Sequence, residues 1–416
     1  MYLRGSKLRM NRRRRTSNPL TIIMLVLLVG AGIYVNQVVV PETPPLFIPT
    51  PTATRAPESY LTEAEQLVQQ GKFAQAIEIY RSATLADPNN PAIYLAIARL
   101  QIHTNQYEPA VENAGNALVI NPNNAAAMAL RGYALGLSGN YLEAESALNQ
   151  AIELDPNNAV PYAYLAEVLA IKSQSSAGDL ETLNRAIDLS RKAQAFGPTL
   201  IETRRARGLV LEFTTNYQEA VDEFSAAIAI NPYIADLYIY LGRNYRTLGD
   251  YPNAIRAFNN AFPLNPTDPL AYTYLSRTYA TQGEYANAIT YAELAIERKP
   301  TDPYLYGNLG VMHYRRSDYP RAIEALQLAV QGGTSPSGAV VEGLPLGYWP
   351  VSEYYYMYGL ALSRQGRCGE ALPIAQAVME VVSIEQISLA NAQEIINICQ
   401  QVAGGTIATP ENTPAP

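Results

Sequence analysis

The chain has 416 residues, 48% of them hydrophobic, which is ample for folding but too long for one ordinary globular core. Its net charge of −7 is uneven: the basic segment 1–19 holds Arg4, Lys7, Arg9 and Arg12 to Arg15 with no acid, leaving 23 basic against 37 acidic residues in the remainder. So acidic a body lacks the basic footprint of general nucleic-acid binding, and with only two His and two Cys a structural zinc site is not expected.

Residues 20–40, LTIIMLVLLVGAGIYVNQVVV, form a run of 21 positions without charge, close to the ~20 residues needed to cross a bilayer core. The basic residues just before it predict a transmembrane helix with a cytoplasmic N-terminus and residues 41 onward outside. A cleaved signal sequence is the competing reading. The run exceeds the usual apolar core of such a signal, and no small-x-small cleavage site follows, which favours an uncleaved anchor in the cell membrane. Residues 41–56 read as a Pro- and Thr-rich stalk, in a run whose prolines cannot build a helix or a sheet. The tail at 402–416, with GGTIATPENTPAP from Gly404, reads as disordered.

Between stalk and tail, at 57–401, the sequence repeats every 34 residues. Ala235 to Asp268 returns one period later: Tyr238 as Tyr272, Leu241 as Leu275, Gly249 as Gly283, Ala254 as Ala288 and Pro266 as Pro300. Units begin near Pro57, Pro91, Ala125, Ala159, Ile201, Ala235, Pro269, Pro303 and Ser352. Each has a first helical pattern, a turn such as SGN, LGD or QGE, an aromatic such as Tyr141 or Tyr251, and a second helical pattern with a small residue such as Ala144 or Ala254. It closes on a Pro turn such as DPNN or NPTD. Two insertions interrupt the period. One, near 172–179, is expected to lengthen the turn inside the fourth unit. The other, near 332–351, is expected to be a surface loop and carries the single Trp, Trp349.

These residues resemble the tetratricopeptide repeat family over most of the chain. The resemblance implies an all-α, right-handed superhelical solenoid of about nine helix pairs plus a C-terminal capping helix, preceded here by one transmembrane helix. Tyr stands in most units where the family favours Trp in the first helix. The family lines its concave groove mainly with first-helix residues. Carried over, those places give a mixed set in the first four units, including His103, Tyr133 and Glu167. From the fifth unit a more basic and aromatic set follows: Arg205, Arg243, Arg246, Arg277, Tyr304, Tyr314, Arg315, Tyr356 and Arg364, with Glu202, Glu212, Asp236 and Glu353 as its acids. Trp349 joins this set as an aromatic anchor. Such a groove suits an extended or acidic segment of another protein, because Arg grips carboxylates bidentately. Pairing of these arginines to acids on neighbouring helices is the competing expectation.

Cys368 begins one helix and Cys399 lies near the end of the next. Helices of similar length packed antiparallel bring both to one end, which predicts a Cys368–Cys399 disulfide over two separate buried thiols. No Gly-rich phosphate loop, HExxH or G-x-S-x-G is present, and His103 and His313 stand singly, so neither catalytic residues nor a cofactor are expected. The resemblance and the topology together imply a non-enzymatic, membrane-anchored protein-interaction scaffold on the extracytoplasmic side, in assembly of an envelope or secretion complex. A module binding cell-wall glycan or peptide is the alternative.

Overall fold

The computed structural model describes residues 18–39, 56–175 and 179–404. Most of the basic segment, the stalk and the tail beyond Gly404 lie outside the described residues. The described chain forms two separate bodies, divided between Arg55 and Ala56.

The first body is helix α1, Pro19–Tyr34, continued by a π-helical turn at Val35–Val39. Pro19–Val38 is 20 residues long and none of it is buried. It is long and apolar enough to cross a membrane, and a signal sequence would have the same character.

The second body is an array of nine helix pairs and a cap. The pairs are α2 (Pro57–Gln69) and α3 (Phe73–Ala86), α4 (Pro91–His103) and α5 (Tyr107–Ile120), α6 (Ala125–Leu137) and α7 (Tyr141–Leu154), and α8 (Ala159–Ser175) and α9 (Leu180–Phe196). They continue as α10 (Ile201–Phe213) and α11 (Tyr217–Ile230), α12 (Ala235–Thr247) and α13 (Tyr251–Ala261), and α14 (Leu270–Thr281) and α15 (Tyr285–Arg298). Then come α16 (Pro303–Arg315) and α17 (Tyr319–Gln331), α18 (Val351–Arg364) and α19 (Cys368–Val381), and the cap α20 (Gln386–Ala403).

The repeated residues have specific duties. The aromatic after each turn starts the second helix, as Tyr141 starts α7 and Tyr251 starts α13. The small residue three places on is fully buried where helices cross: Ala76, Ala110, Ala144, Ala220, Ala254, Ala288 and Ala322 are all 0% exposed. In the Pro turns the last polar residue caps the next helix. Asn90 Oδ1 accepts from Ala92 N–H at 3.1 Å, Asn124 Oδ1 from Ala127 N–H at 3.1 Å, and Asp302 Oδ1 from Tyr304 N–H at 3.0 Å. Each such cap contributes about 1 kcal/mol. A first-helix glycine allows close approach: a Cβ on Gly242 would collide with the ring of Phe258.

The fourth-unit insertion does more than lengthen a turn. Helices α8 and α9 have 17 residues each, against 13 and 14 in the preceding pair, so much of the extra chain extends both helices. Asp179 caps α9 through Thr182 N–H at 2.9 Å, and residues 176–178 lie outside the described residues. Inside the second insertion is a short hairpin rather than an irregular loop. Its strands are β1 (Gly332–Thr334) and β2 (Val340–Glu342), antiparallel with Gly333 opposite Val341. Three-residue strands around Ser-Pro-Ser-Gly are too short for a period-2 signal to emerge. Tyr355 Oη donates to Leu344 O at 2.7 Å and fastens the chain beyond the hairpin to α18.

Cys368 and Cys399 form a disulfide, with Cα atoms 5.5 Å apart. It ties the start of α19 to the end of α20, which has no following unit to hold it.

The first half of the array curves until its ends meet. The turn at Gly71 lies against the ring of Tyr233, between α11 and α12. One unit on, Asn105 Nδ2 donates to Asp268 Oδ2 at 2.8 Å, across 163 residues of sequence. One hydrophobic cluster runs from Ala64 to Leu237. Gly71 has φ +73° and Gly139, in the equivalent turn, φ +90°, but only Gly71 has a neighbour where a Cβ would go. Gly139→Ala is therefore expected to cost about 1 kcal/mol from the left-handed backbone alone. Gly71→Ala is expected to cost clearly more, because the new methyl displaces Tyr233. Urea midpoints of the two variants measure the difference, and equal losses would mean that the Gly71–Tyr233 contact is not formed.

Candidate functional site

Closure of units one to six leaves the inner face of the first half largely occupied by its own side chains. Glu167 and Arg205 are 0% and 4% exposed and form an ion pair, Arg205 Nε to Glu167 Oε2 at 2.9 Å. Tyr133 Oη donates to the other Glu167 oxygen at 2.6 Å. The Arg205 guanidinium lies 4.9 Å from the Tyr133 ring, which stacks on Tyr164 at 4.2 Å. Burial would lower the Arg205 pKa, but Glu167, Tyr133 and Tyr164 outweigh it and hold the side chain charged, well above its usual value. Arg205 is thus a structural cation, not the partner-facing residue expected from sequence. Removing one member of such a buried pair leaves the other charge stranded, at a cost of about 3–5 kcal/mol.

His103 is packed beside the Phe73 ring, 5.7 Å between centroids. Burial, reinforced by Arg205 and Arg99, pushes its pKa down to about 3, so it is neutral at ordinary pH. His313 is 4% exposed, with Nδ1 3.5 Å from Asp318 Oδ2. Among the described residues no group of His, Cys, Asp and Glu is arranged to hold a metal ion.

From the last turns of α12 onward the expected groove residues divide. Arg243 is ion-paired to Glu212, as the competing expectation had it. Tyr304 is 44% exposed but meets Tyr354 edge-on at 6.3 Å, and Tyr314 packs against Tyr319 at 5.6 Å. Arg364 reaches Glu394 at 3.7 Å. Arg246, Arg277, Arg315 and Trp349 come together, lining one cavity of about 250 Å³ with Asn308, Met312, Glu353 and Tyr354. Next to it, a slot of about 510 Å³ is lined by Trp349, Glu353, Tyr356, Glu385, Gln386, Ile387 and Ser388. Tyr356 is only 6% exposed and lines this slot rather than standing on an open surface.

The cavity is electrostatically unbalanced. Arg315 has Glu353 at 3.5 Å, but neither Arg246 nor Arg277 is ion-paired among the described residues. Arg277 is oriented by neutral groups: its Nε donates to Asn308 Oδ1 at 3.1 Å and its Nη2 to Tyr354 Oη at 3.4 Å. Arg246 lies 5.8 Å from the Tyr274 ring, and its buried Nε has no hydrogen-bond partner. Burial, together with the cations of Arg277 and Arg243, pushes the Arg246 pKa down. An anion in the cavity would relieve each of these costs.

Trp349 is held at the rim by its backbone, whose N–H donates to Glu385 Oε1 at 2.7 Å, while its indole is 65% exposed. Burial opposes ionisation of Glu385, but hydrogen bonds, chiefly from Trp349 N–H and Ser388 Oγ, outweigh it and hold the carboxyl below the usual value. Sequence reasoning missed Asn308, Tyr354 and Glu385 as members of the site. Asn308 and Tyr354 occupy first-helix places, but Glu385 lies in the turn before the cap, where the repeat pattern gives no guide.

Models of the tetratricopeptide repeat match residues 67–132, 125–158 and 240–303. The chain thus carries tetratricopeptide repeats in these stretches. Repeats of this class are typically non-catalytic modules that bind other proteins, and on that footing the array is a protein-interaction scaffold. No curated protein matches the chain. Among solved structures it is similar to a tetratricopeptide repeat protein from Parabacteroides merdae, at 16% identity over 62% of this chain and 98% of that one, TM-score 0.40. It is also similar to pilF of Pseudomonas aeruginosa, at 21% identity over 49% and 90% of the two chains, TM-score 0.40. A third similarity is to human IFIT1, solved as a dimer with PPP-AAAA, at 18% identity over 65% and 71%, TM-score 0.46.

The inner face of the closed half makes a pH prediction. Asp236 keeps a little exposure, but protein crowds it, and burial and then the Asp268 carboxylate push its pKa up to about 7, with Arg205 opposing. The unfolded value lies near 3.8, so between these limits the folded state holds a proton that the unfolded chain has lost. Stability from this group is therefore full below the lower value and is lost as pH rises through the upper one. Relative to Asp236→Asn, the natural protein is expected to lose about 1–2 kcal/mol between pH 5 and pH 8, a figure reduced for the residual water contact. Parallel denaturation profiles of the two proteins across that range would show that the carboxyl is not protonated in the fold.

Proposed function

We propose that this chain is a non-enzymatic scaffold anchored in the cell membrane by Pro19–Val38, that its array stands on the extracytoplasmic side, and that it binds an extended acidic segment of a partner protein in assembling an envelope complex. The supporting observation for the partner is the cavity lined by Arg246 and Arg277, neither of them ion-paired among the described residues, whose one lining carboxylate, Glu353, pairs with Arg315 at 3.5 Å. A desolvated guanidinium that lacks a counter-ion favours an incoming carboxylate, and bidentate Arg–carboxylate contacts are both directional and strong. The acidic body around this patch would discourage acidic proteins from docking elsewhere.

The topology rests on the seven basic residues that precede the apolar run. Protease added outside wall-stripped cells is expected to remove the array and leave a short membrane-embedded N-terminal fragment. An array protected until the membrane is opened would reverse the orientation.

Partner binding can be read with the detergent-solubilised full chain as bait for cross-linked proteins. Arg246→Glu together with Arg277→Glu is expected to reduce capture of specific partners by at least about tenfold, since like charges would then face each other across a poorly hydrated site. Capture unchanged by this double reversal would remove the cavity from the binding surface.

A further inference from the structure

The arginine cavity and the slot beside it share two lining residues. Trp349 and Glu353 line both, so a ligand seated in one is in reach of the other across the indole. Their chemistries differ. The cavity presents Arg246 and Arg277 without acid partners, and its volume of about 250 Å³ suits one side chain, not a folded element. The slot is about twice as large and presents the indole of Trp349, the ring of Tyr356 and the side chain of Ile387. Trp349 is 65% exposed and Ile387 is 72% exposed, so water meets large apolar surfaces at its mouth. Ile384, at 73%, extends that apolar exposure in the turn before α20.

The slot is also built to stay in place. Glu385 accepts from Trp349 N–H at 2.7 Å and from Ser388 Oγ at 2.7 Å, which joins the end of the hairpin insertion to the first turn of α20. The disulfide holds the other end of α20. An exposed aromatic on a fastened backbone beside a desolvated cation is the kind of arrangement that concentrates binding energy in protein interfaces.

We propose that cavity and slot are one bipartite site, which takes an acidic side chain against Arg246 and Arg277 and, from the same extended segment of a partner protein, a large apolar side chain between Trp349 and Ile387. This deepens the scaffold reading and rests on it. Charge complementarity commits the first position to a carboxylate, and the exposed indole and isoleucine commit the second to a bulky apolar residue. The insertion at 332–350 then acts as the specificity element: the bare repeat supplies cations, and Trp349 restricts which acidic segments stay bound.

The chain contains one tryptophan, so its fluorescence reports on this site alone. The full chain in detergent would be titrated with blocked peptides in which Glu and Phe are separated by none, one, two or three serines. At least one spacing is expected to shift Trp349 emission saturably. In that peptide, Glu→Gln and Phe→Ala are each expected to weaken binding about tenfold or more. In the protein, Arg246→Gln should abolish the preference for Glu over Gln and keep the preference for Phe over Ala, and Arg246→Lys should partly restore the first. Ile387→Ser, at an exposed position that folding does not need, should do the reverse. Helical circular dichroism and thermal midpoints check that each variant is folded.

No saturable shift with any spacing, or Glu and Phe preferences insensitive to these two sites, would overturn the bipartite site. If partner capture by the full chain still depends on Arg246 and Arg277 in that case, the scaffold reading stands without it. If capture has lost that dependence too, the reading itself falls. A Trp349 shift produced by a wall glycan oligomer free of peptide, and by none of the peptides, would make the occupant a saccharide and also overturn the proposal.

Discussion

The buried pair of Glu167 and Arg205 is the constraint on which the use of this array depends. Two ions taken out of water on the inner face of a solenoid are tolerable only if each is fully engaged. Here the carboxylate accepts from Arg205 and from Tyr133, and the guanidinium lies against two tyrosine rings. That engagement fills the space a partner would otherwise enter. The turns at Gly71 and Asn105 then close against Tyr233 and Asp268, the turns that bound the sixth unit.

From this follows a division of labour along the chain. The first half uses its polar inner face for itself, including Asp236 and Asp268, whose carboxyl groups burial drives up. From the C-terminal end of α12 onward the surplus is not resolved. Arg243 finds Glu212 and Arg315 finds Glu353, but Arg246 and Arg277 meet neutral partners only. A repeat protein in which units contact chiefly their neighbours can keep such a local imbalance without loss elsewhere, since stability is summed along the array.

The C-terminal end carries the second departure from the period. The hairpin, the chain that follows it and the disulfide-tied α20 add no further repeat. They fix an indole and an isoleucine beside the cations. The hydrogen bonds to Glu385 connect these parts, so the second insertion has a definite structural position rather than the freedom of a surface loop.

Much of the architecture was legible because the repeat is local. A period of 34 residues, an alanine at the helix crossings and an Asn or Asp closing most Pro turns act within one unit or on the next, so sequence spacing alone locates them. The disulfide was legible for the same reason, as two consecutive helices of similar length bring their ends together. Arg205 and Arg277 show where that reach stops. Both are first-helix arginines at places where the repeat pattern puts groove residues. One is buried against Glu167 and the other lines an open cavity, and the difference arises from closure between units far apart in sequence. Likewise Trp349 was visible as a lone aromatic in an insertion, but its place beside Arg246 and Ile387 comes from three segments meeting. The sequence by itself determined the helices, their pairing and the order of units, all governed by short-range periodicity. Only the tertiary structure decided which charges are spent inside the protein and which remain for a partner, because burial and pairing depend on how the whole array curves.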